Sequence, residues 1–268
     1  MLGHRAPAER AQAPRPAFRD DSLAGRLVFV TGASSGIGRA VAVALSRAGA
    51  RLALNGRDEA RLEETRTMLM GDGHLLAPGP LADADAAAEL VKDAARRAGP
   101  FDGVFHAAGS FQVRPLKITK QQQLDDTFGA SVFGAFGIGR AASSKAVLAN
   151  GGSIVFMSSV AAEHGSAGLA TYSGAKAAVL GLTRSLALEL APRLVRVNAI
   201  AASTIMTEMH ERTMENADMS YVAKNEERHP LGFGRPDHVS DAALFLLSDA
   251  SVWITGATLP VDGGYSAA

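Results

Sequence analysis

The chain has 268 residues, 47% hydrophobic and 20% charged, enough to bury a substantial core. Basic and acidic residues balance at 27 each, which argues against nucleic acid or an anionic membrane as the main partner. There are no cysteines, so disulfides, thiolate metal sites and a cysteine nucleophile are excluded, and no apolar run reaches the roughly 18 residues of a membrane span. The expectation is a cytoplasmic protein with no metal.

The first 17 residues, "MLGHRAPAERAQAPRPA", are dominated by Pro, Ala and Arg without an apolar period, and read as a disordered tail. They lack the apolar core of a secretory signal, and Glu9 together with the absence of serine counts against a transit peptide. Residues 18–268 read as a single domain, because no Pro/Gly/Ser-rich linker divides them after residue 25.

Within that domain "RLVFV" (26–30) is a short β-rich run bounded by Gly25 and Gly32, followed by the helical stretch "GRAVAVALSRAGA". Next come the strand "RLALNG" (51–56) and the charged helix "DEARLEETRTMLMGDG". The alternation continues with "HLLAP" and "DADAAAELVKDAARRAG", then with "DGVFHAAG" and a helix expected to run to about residue 149. "GSIVFMSS" precedes a helix containing "TYSGAKAAVLGL", and "VRVNAIAA" leads into an irregular region. The helix "HVSDAALFLLSD" and the strand "TLPVDGG" close the chain. Strands alternating with helices imply a parallel sheet covered on both faces, and right-handed crossovers make it doubly wound, with about seven strands. Ligands of such Rossmann-type α/β folds bind at the carboxyl ends of the strands.

"VTGASSGIG" places Gly32, Gly36 and Gly38 between the first strand and the first helix. Gly32 permits a tight turn out of the strand. Gly36 and Gly38 remove side chains where backbone approaches a phosphate and where helix packs on strand. The free N–H groups and dipole of the helix N-terminus then attract the anion. Further on, Tyr172 and Lys176 stand four apart and emerge from one helix face. Taken alone, that pair is equally at home on an ordinary packing helix.

"TGASSGIG" resembles the cofactor loop of the short-chain dehydrogenase/reductases, in their compact single-domain branch, and the resemblance runs from about Leu23 to Tyr265. "HAAG" (106–109) sits where that family has an Asn-Asn-Ala-Gly turn. "MSS" (157–159) ends the strand that carries its serine, and Tyr172 follows Ser159 by the family's interval of 13 positions. "RVNAI" and "ITGATLPVDGG" match its later strands. The resemblance implies that Ser159, Tyr172 and Lys176 are catalytic, with Ser131 in "SVFG" standing where the family has a catalytic asparagine. It implies a nicotinamide cofactor held by Gly32, Ser34, Ser35, Gly36, Ile37, Gly38, Arg57, Leu81, Ala108, Gly109, Tyr172, Lys176 and Thr207. It also implies a homo-oligomer, a tetramer above all, through the Ala/Gly-rich stretches "FGASVFGAFGIGRAASS" and "SGAKAAVLGLTRSLALEL".

The chemistry follows from residue types. Reducing a ketone needs a hydride from nicotinamide and a proton for the oxygen. The phenol of Tyr172 is a suitable donor if its pKa, about 10 unperturbed, is brought toward neutral, and an ammonium one turn away lowers it. Ser159 would orient the substrate oxygen, and Ser158 reads as structural. The second strand ends in Gly56 and Arg57 where a carboxylate would select NAD, so the expected cofactor is NADP(H), with Arg57 and Ser34 or Ser35 taking the 2′-phosphate. Three departures from the family stand out: Ser131, Ala202-Ser203 in place of Pro-Gly, and Pro80 in place of an aspartate, with Asp83 nearby but shifted.

Residues 204–232 read as a substrate lid holding Met206, Met209, Met214 and Met219, and Phe111, Gln112, His164 and His210 are further pocket candidates. The expected substrate is a small-molecule carbonyl compound or secondary alcohol, with a 3-oxoacyl reductase or ketoreductase fitting best. A non-catalytic dinucleotide-binding sensor or interaction protein is the alternative, and an isomerase or dehydratase a third.

Overall fold

The computed structural model describes residues 21–208 and 225–267. The N-terminal tail and four lid candidates, Met209, His210, Met214 and Met219, lie outside the described residues.

Seven strands form one parallel sheet in the order β3-β2-β1-β4-β5-β6-β7. They are β1 (Leu27–Thr31), β2 (Arg51–Asn55), β3 (Leu75–Leu76), β4 (Phe101–His106), β5 (Leu148–Ser159), β6 (Arg196–Ala202) and β7 (Thr258–Val261). The helices are α1 (Gly36–Arg47), α2 (Glu59–Thr67), α3 (Ala84–Ala98), α4 (Gln121–Phe128), α5 (Gly134–Ala142), α6 (Ala170–Leu190) and α7 (Pro236–Leu247), with a π-helical turn, Gly129–Phe133, joining α4 to α5. The doubly wound sheet is therefore as expected.

Two boundaries differ from the sequence reading. The helix expected to reach about residue 149 stops at Ala142, and Leu148 already pairs with Phe101. Gly151 adopts a φ of +76 inside β5, where the register with β4 shifts between the pairs Phe101–Leu148 and Gly103–Ser153. The charged helix expected over 58–73 ends at Thr67, before Gly71 and Gly73 at positive φ.

Burial explains why the central strands read as continuous apolar runs. In β1, Leu27 and Phe29 enter the cluster packed against α3, α5 and α6, while Val28 and Val30 enter the cluster packed against α1 and α7. Both faces are covered, so alternation between polar and apolar residues disappears. The sheet changes direction of winding between β1 and β4, where Thr31 lies beside His106. That switch opens a crevice above the carboxyl ends of the strands.

Candidate active site

The glycine loop leaves β1 through Gly32, whose φ of +66 favours glycine. A Cβ there would press on the backbone of Ala107 and Ala108 at 3.0 Å, and one on Gly38 would collide with the Gly32 carbonyl. Gly36 faces the Thr207 methyl group, 3.6 Å from where its Cβ would lie. Ser35 occupies the N-cap of α1 in extended backbone, yet its side chain makes no capping hydrogen bond. The helix N-terminus, which Ser35 leaves without a side-chain cap, and the glycines beside it could hold a pyrophosphate.

A cleft of about 1640 Å³ runs from this loop across the sheet ends. It is lined by Gly32, Ser34, Ser35, Gly36, Ile37, Gly38, Arg57, Leu81, Ala108, Gly109, Ser159, Tyr172, Lys176 and Thr207. Each residue expected on the cofactor or among the reacting groups thus borders one cavity, except Ser131, which lies behind its wall. Phe111, Gln112 and His164 line it too, whereas Met206 does not. Asp83, the shifted carboxylate, caps α3 by accepting from the N–H groups of Asp85 and Ala86.

At the adenosine end, Gly56 packs on the glycine loop. A Cβ on it would lie 3.2 Å from Ser34 Oγ and 3.1 Å from Leu62 Cδ2, so a side chain here would fill the space between strand and loop. Arg57 is exposed at the rim and Arg61 joins it on the lining. Asp58 turns its carboxylate to the α2 N-terminus, accepting from Arg61 N–H at 3.1 Å. Arg61 is absent from the sequence reading, although its spacing of four from Arg57 is a signal that points to it.

Around Tyr172, α6 and β5 do the positioning. Ser158 Oγ donates to the Lys176 carbonyl at 3.0 Å, tying the helix to the strand end. Lys176 is 6% exposed, and its Nζ donates to the Met157 carbonyl at 3.0 Å. Its ammonium lies 5.6 Å from the centre of the Tyr172 ring, and Phe111 meets that ring edge-on at 5.0 Å. Ser159 Oγ accepts from Ala161 N–H at 3.2 Å.

The electrostatics differ from the sequence expectation. Burial raises the Tyr172 phenol above its ordinary value, and the Ser159 hydroxyl opposes this only in part. Burial also lowers Lys176 to about 8. In the cofactor-free protein the lysine does not bring the tyrosine toward neutral, because it sits in the same dry wall and its own charge is disfavoured.

Ser131 lies in the π-turn, and its buried hydroxyl has no hydrogen-bond partner among the described residues. A Cβ on Gly109 would lie 2.6 Å from Ser131 Oγ and 3.7 Å from Lys176 Nζ, so both groups flank the space that this glycine leaves. The turn is anchored by His106. Its Nδ1 accepts from Thr31 Oγ1 at 2.8 Å, and its Nε2 donates to the Ser131 carbonyl at 3.3 Å. Thr31 Oγ1 in turn accepts from the N–H groups of Ala107 and Ala108, both at 3.2 Å. Burial, with help from the Lys176 charge, lowers His106 to about 4, so the ring is neutral at ordinary pH. This chain of bonds links the end of β1 to the turn beside Lys176. Sequence reasoning missed it because its members lie up to 100 positions apart (Thr31 to Ser131).

A glycine loop at a helix start, a buried lysine beside a tyrosine, and a serine at a strand end line one cleft of this doubly wound fold, as in dinucleotide-dependent oxidoreductases. A family model described as enoyl-(acyl carrier protein) reductase matches residues 32–266. The chain is 32% identical over 245 residues to the 3-oxoacyl-[acyl-carrier-protein] reductase FabG of Thermotoga maritima, covering 90% of this chain and 98% of that protein. It is 33% identical over 246 residues to the gluconate 5-dehydrogenase of Gluconobacter oxydans, covering 91% and 95%. A short-chain dehydrogenase/reductase structure from Serratia marcescens superposes with a TM-score of 0.84 at 27% identity, over 91% of this chain and 99% of that one. The chain belongs to the short-chain dehydrogenase/reductase family, whose members use a nicotinamide dinucleotide.

Proposed function

We propose that the protein is an NADP(H)-dependent oxidoreductase that interconverts a ketone and a secondary alcohol, acts as a reductase, and uses Tyr172 as its general acid. The observation that carries this reading is the meeting of Ser159, Tyr172 and Lys176 on the wall of the cleft that begins at the glycine loop. One domain, residues 18–268, supplies both the dinucleotide and the substrate side.

The residues present fit the dinucleotide. The cradle of Gly32, Gly36 and Gly38 takes the pyrophosphate, with Ser35 and Ile37 at the helix start. Leu81, Ala108 and Gly109 border the adenosine and ribose, Lys176 the nicotinamide ribose, and Thr207 the nicotinamide end. Ser34 and Arg57, with Arg61 beside them, take the 2′-phosphate. When bound, the reduced nicotinamide supplies a hydride to the carbonyl carbon.

The protein's part is position and proton. Ser159 Oγ–H donates to the substrate oxygen and orients it toward Tyr172. The raised phenol keeps its proton at neutral pH and gives it up as negative charge develops on that oxygen. Phe111, packed edge-on, holds the ring. Lys176, near 8 in the cofactor-free protein, gains stabilisation of its charged form when an anionic or hydroxyl-bearing ligand arrives, and then favours the phenolate that the reaction leaves behind. Ser131 Oγ, without a partner among the described residues, would hold a water that returns the proton.

A carbonyl-compound screen followed by cofactor absorbance tests the reading. Tyr172→Phe is expected to lower kcat by about 10² or more with little change in cofactor binding. A mutant that keeps near-full kcat with chemistry rate-limiting sinks the assignment. One observation favours the competing reading of a non-catalytic dinucleotide sensor: Ser131 replaces the family's asparagine and leaves its hydroxyl unpaired. Binding without turnover across a broad panel would select that reading.

A further inference from the structure

The departure Ala202-Ser203 places a hydroxyl on the cleft lining at the end of β6. Ser203 is half-buried, and its N–H donates to the Val261 carbonyl at 3.3 Å, so its backbone is fixed to β7. Its Oγ lies 2.7 Å from Nε2 of His229, a buried residue 26 positions later. The other ring nitrogen, Nδ1, lies 2.7 Å from the backbone carbonyl of Asn225.

These contacts determine the direction of the hydrogen bonds. A carbonyl oxygen only accepts, so Nδ1 carries the proton and donates to Asn225. In the neutral ring Nε2 then has a lone pair, and Ser203 Oγ–H donates to it. The imidazole has little freedom to turn. Tyr265 packs on it with ring centres 5.0 Å apart and Phe233 meets it at 5.2 Å, while Asn225 is held by its own bond to Thr204 Oγ1 at 3.2 Å. While the ring is neutral, the hydroxyl proton of Ser203 is therefore committed to the protein, and only its lone pairs remain for the cleft.

We propose that Ser203, oriented by His229, is a specificity-determining acceptor that selects ligands carrying an N–H or O–H donor at this point of the cleft. The inference rests on reading the cleft as a nicotinamide and substrate site. A serine free to rotate would serve donors and acceptors alike. This one rewards a donor and repels a carbonyl or carboxylate placed against it. Two ligand groups have the required chemistry: the carboxamide N–H of the cofactor, and a hydroxyl on the substrate.

The test reads binding, in two arms. In the first, NADP(H) and its 3-acetylpyridine analogue, whose acetyl group has no N–H, are titrated by fluorescence into wild type, Ser203→Ala and His229→Phe. In the second, a series of ketones bearing a tertiary hydroxyl, which has no hydride to give, and the ketones lacking it are titrated into the complexes with oxidised cofactor, where no turnover occurs. The wild type is expected to prefer the donor-bearing ligand by about tenfold or more in one arm, which also identifies the source of the donor. Ser203→Ala is expected to reduce that ratio to under about threefold, a change that a purely structural role would not produce. His229→Phe keeps the hydroxyl but releases its proton, and the same ratio is expected to fall.

Ratios that Ser203→Ala leaves unchanged in both arms overturn the proposal. Loss of preference in Ser203→Ala with full retention in His229→Phe overturns the role of the histidine. Should His229→Phe fail to fold, Ser203→Ala decides alone, because it removes one oxygen and keeps the backbone bonds. Failure of any dinucleotide to bind sinks the cofactor reading and this inference together, whereas binding with unchanged ratios sinks this inference only.

Discussion

Lys176 shows what a buried ammonium costs the fold that holds it. Burial lowers its pKa from 10.5 to about 8, so the charged form is disfavoured in the folded chain. The penalty is fully present below pH 8 and is relieved as pH rises from 8 toward 10.5, where the unfolded chain also loses the proton. The shift corresponds to about 3 kcal/mol, and losing the bond to Met157 offsets about 1 kcal/mol. Lys176→Met is therefore expected to stabilise the cofactor-free protein at pH 7 by about 2 kcal/mol, while removing activity. Thermal melts at pH 7 and pH 10 check this; a gain that does not shrink at pH 10 contradicts the burial argument. Arg57 belongs to the same scale. A charge-assisted bond to a phosphate is worth roughly 1.5–3 kcal/mol net, or about 10- to 150-fold in affinity. The wild type is expected to prefer NADP(H) over NAD(H) by at least about tenfold, and Arg57→Ala to lose most of that preference. Titration of both proteins with both cofactors decides; an alanine variant that keeps the preference transfers the role to Arg61 or Ser34.

Elements are joined here by polar groups as well as by the core. Arg196 opens β6 and is buried against the end of α7, where helix carbonyls lack intrahelical partners. Its guanidinium donates to the carbonyls of Leu246 and Ser248 and to Ser251 Oγ, at 2.7, 3.1 and 2.7 Å respectively. Arg196→Leu removes three donated bonds, although the Leu246 carbonyl keeps Ser153 Oγ and the Ser248 carbonyl keeps Ser251, and is expected to destabilise by about 1–2 kcal/mol. The denaturant midpoint should fall at unchanged m-value; a loss under about 0.5 kcal/mol means water replaces the guanidinium at no penalty. The glycines of α5 have a related role. A Cβ on Gly139 would press on Leu186 of α6 at 2.9 Å, and one on Gly137 on Ala87 of α3 at 2.7 Å. The small residues first read as an assembly signal thus let α5 pack tightly between its own neighbours.

At the scale of the whole molecule, the outer side of those helices remains apolar. Phe133 and Phe136 are about half exposed and Leu188 is 78% exposed. Large apolar side chains left exposed favour burial against another copy. We propose a homo-oligomer, with a tetramer the expected form, and light scattering at micromolar concentration is expected to return a multiple of 27.7 kDa. A monomeric mass rules it out. Phe136→Glu is expected to lower the mass while leaving the monomer folded, since this side chain is 48% exposed.

The parallel sheet, the glycine loop at the first strand end, and the gathering of Ser159, Tyr172 and Lys176 on one cleft were legible in the sequence. Each of these is written in local order: the alternation of strand and helix, the glycine spacing, and the interval from serine to tyrosine. Tertiary structure decided what depends on burial and on residues far apart in the chain. The raised tyrosine and lowered lysine follow from the dry wall they share, which no spacing reveals. The bond from His106 to the turn at Ser131, and from Ser203 to His229, joins groups 25 and 26 positions apart. Only the folded sheet brings their strand ends and loops together, and only there does a hydroxyl become an obligate acceptor or remain unpaired.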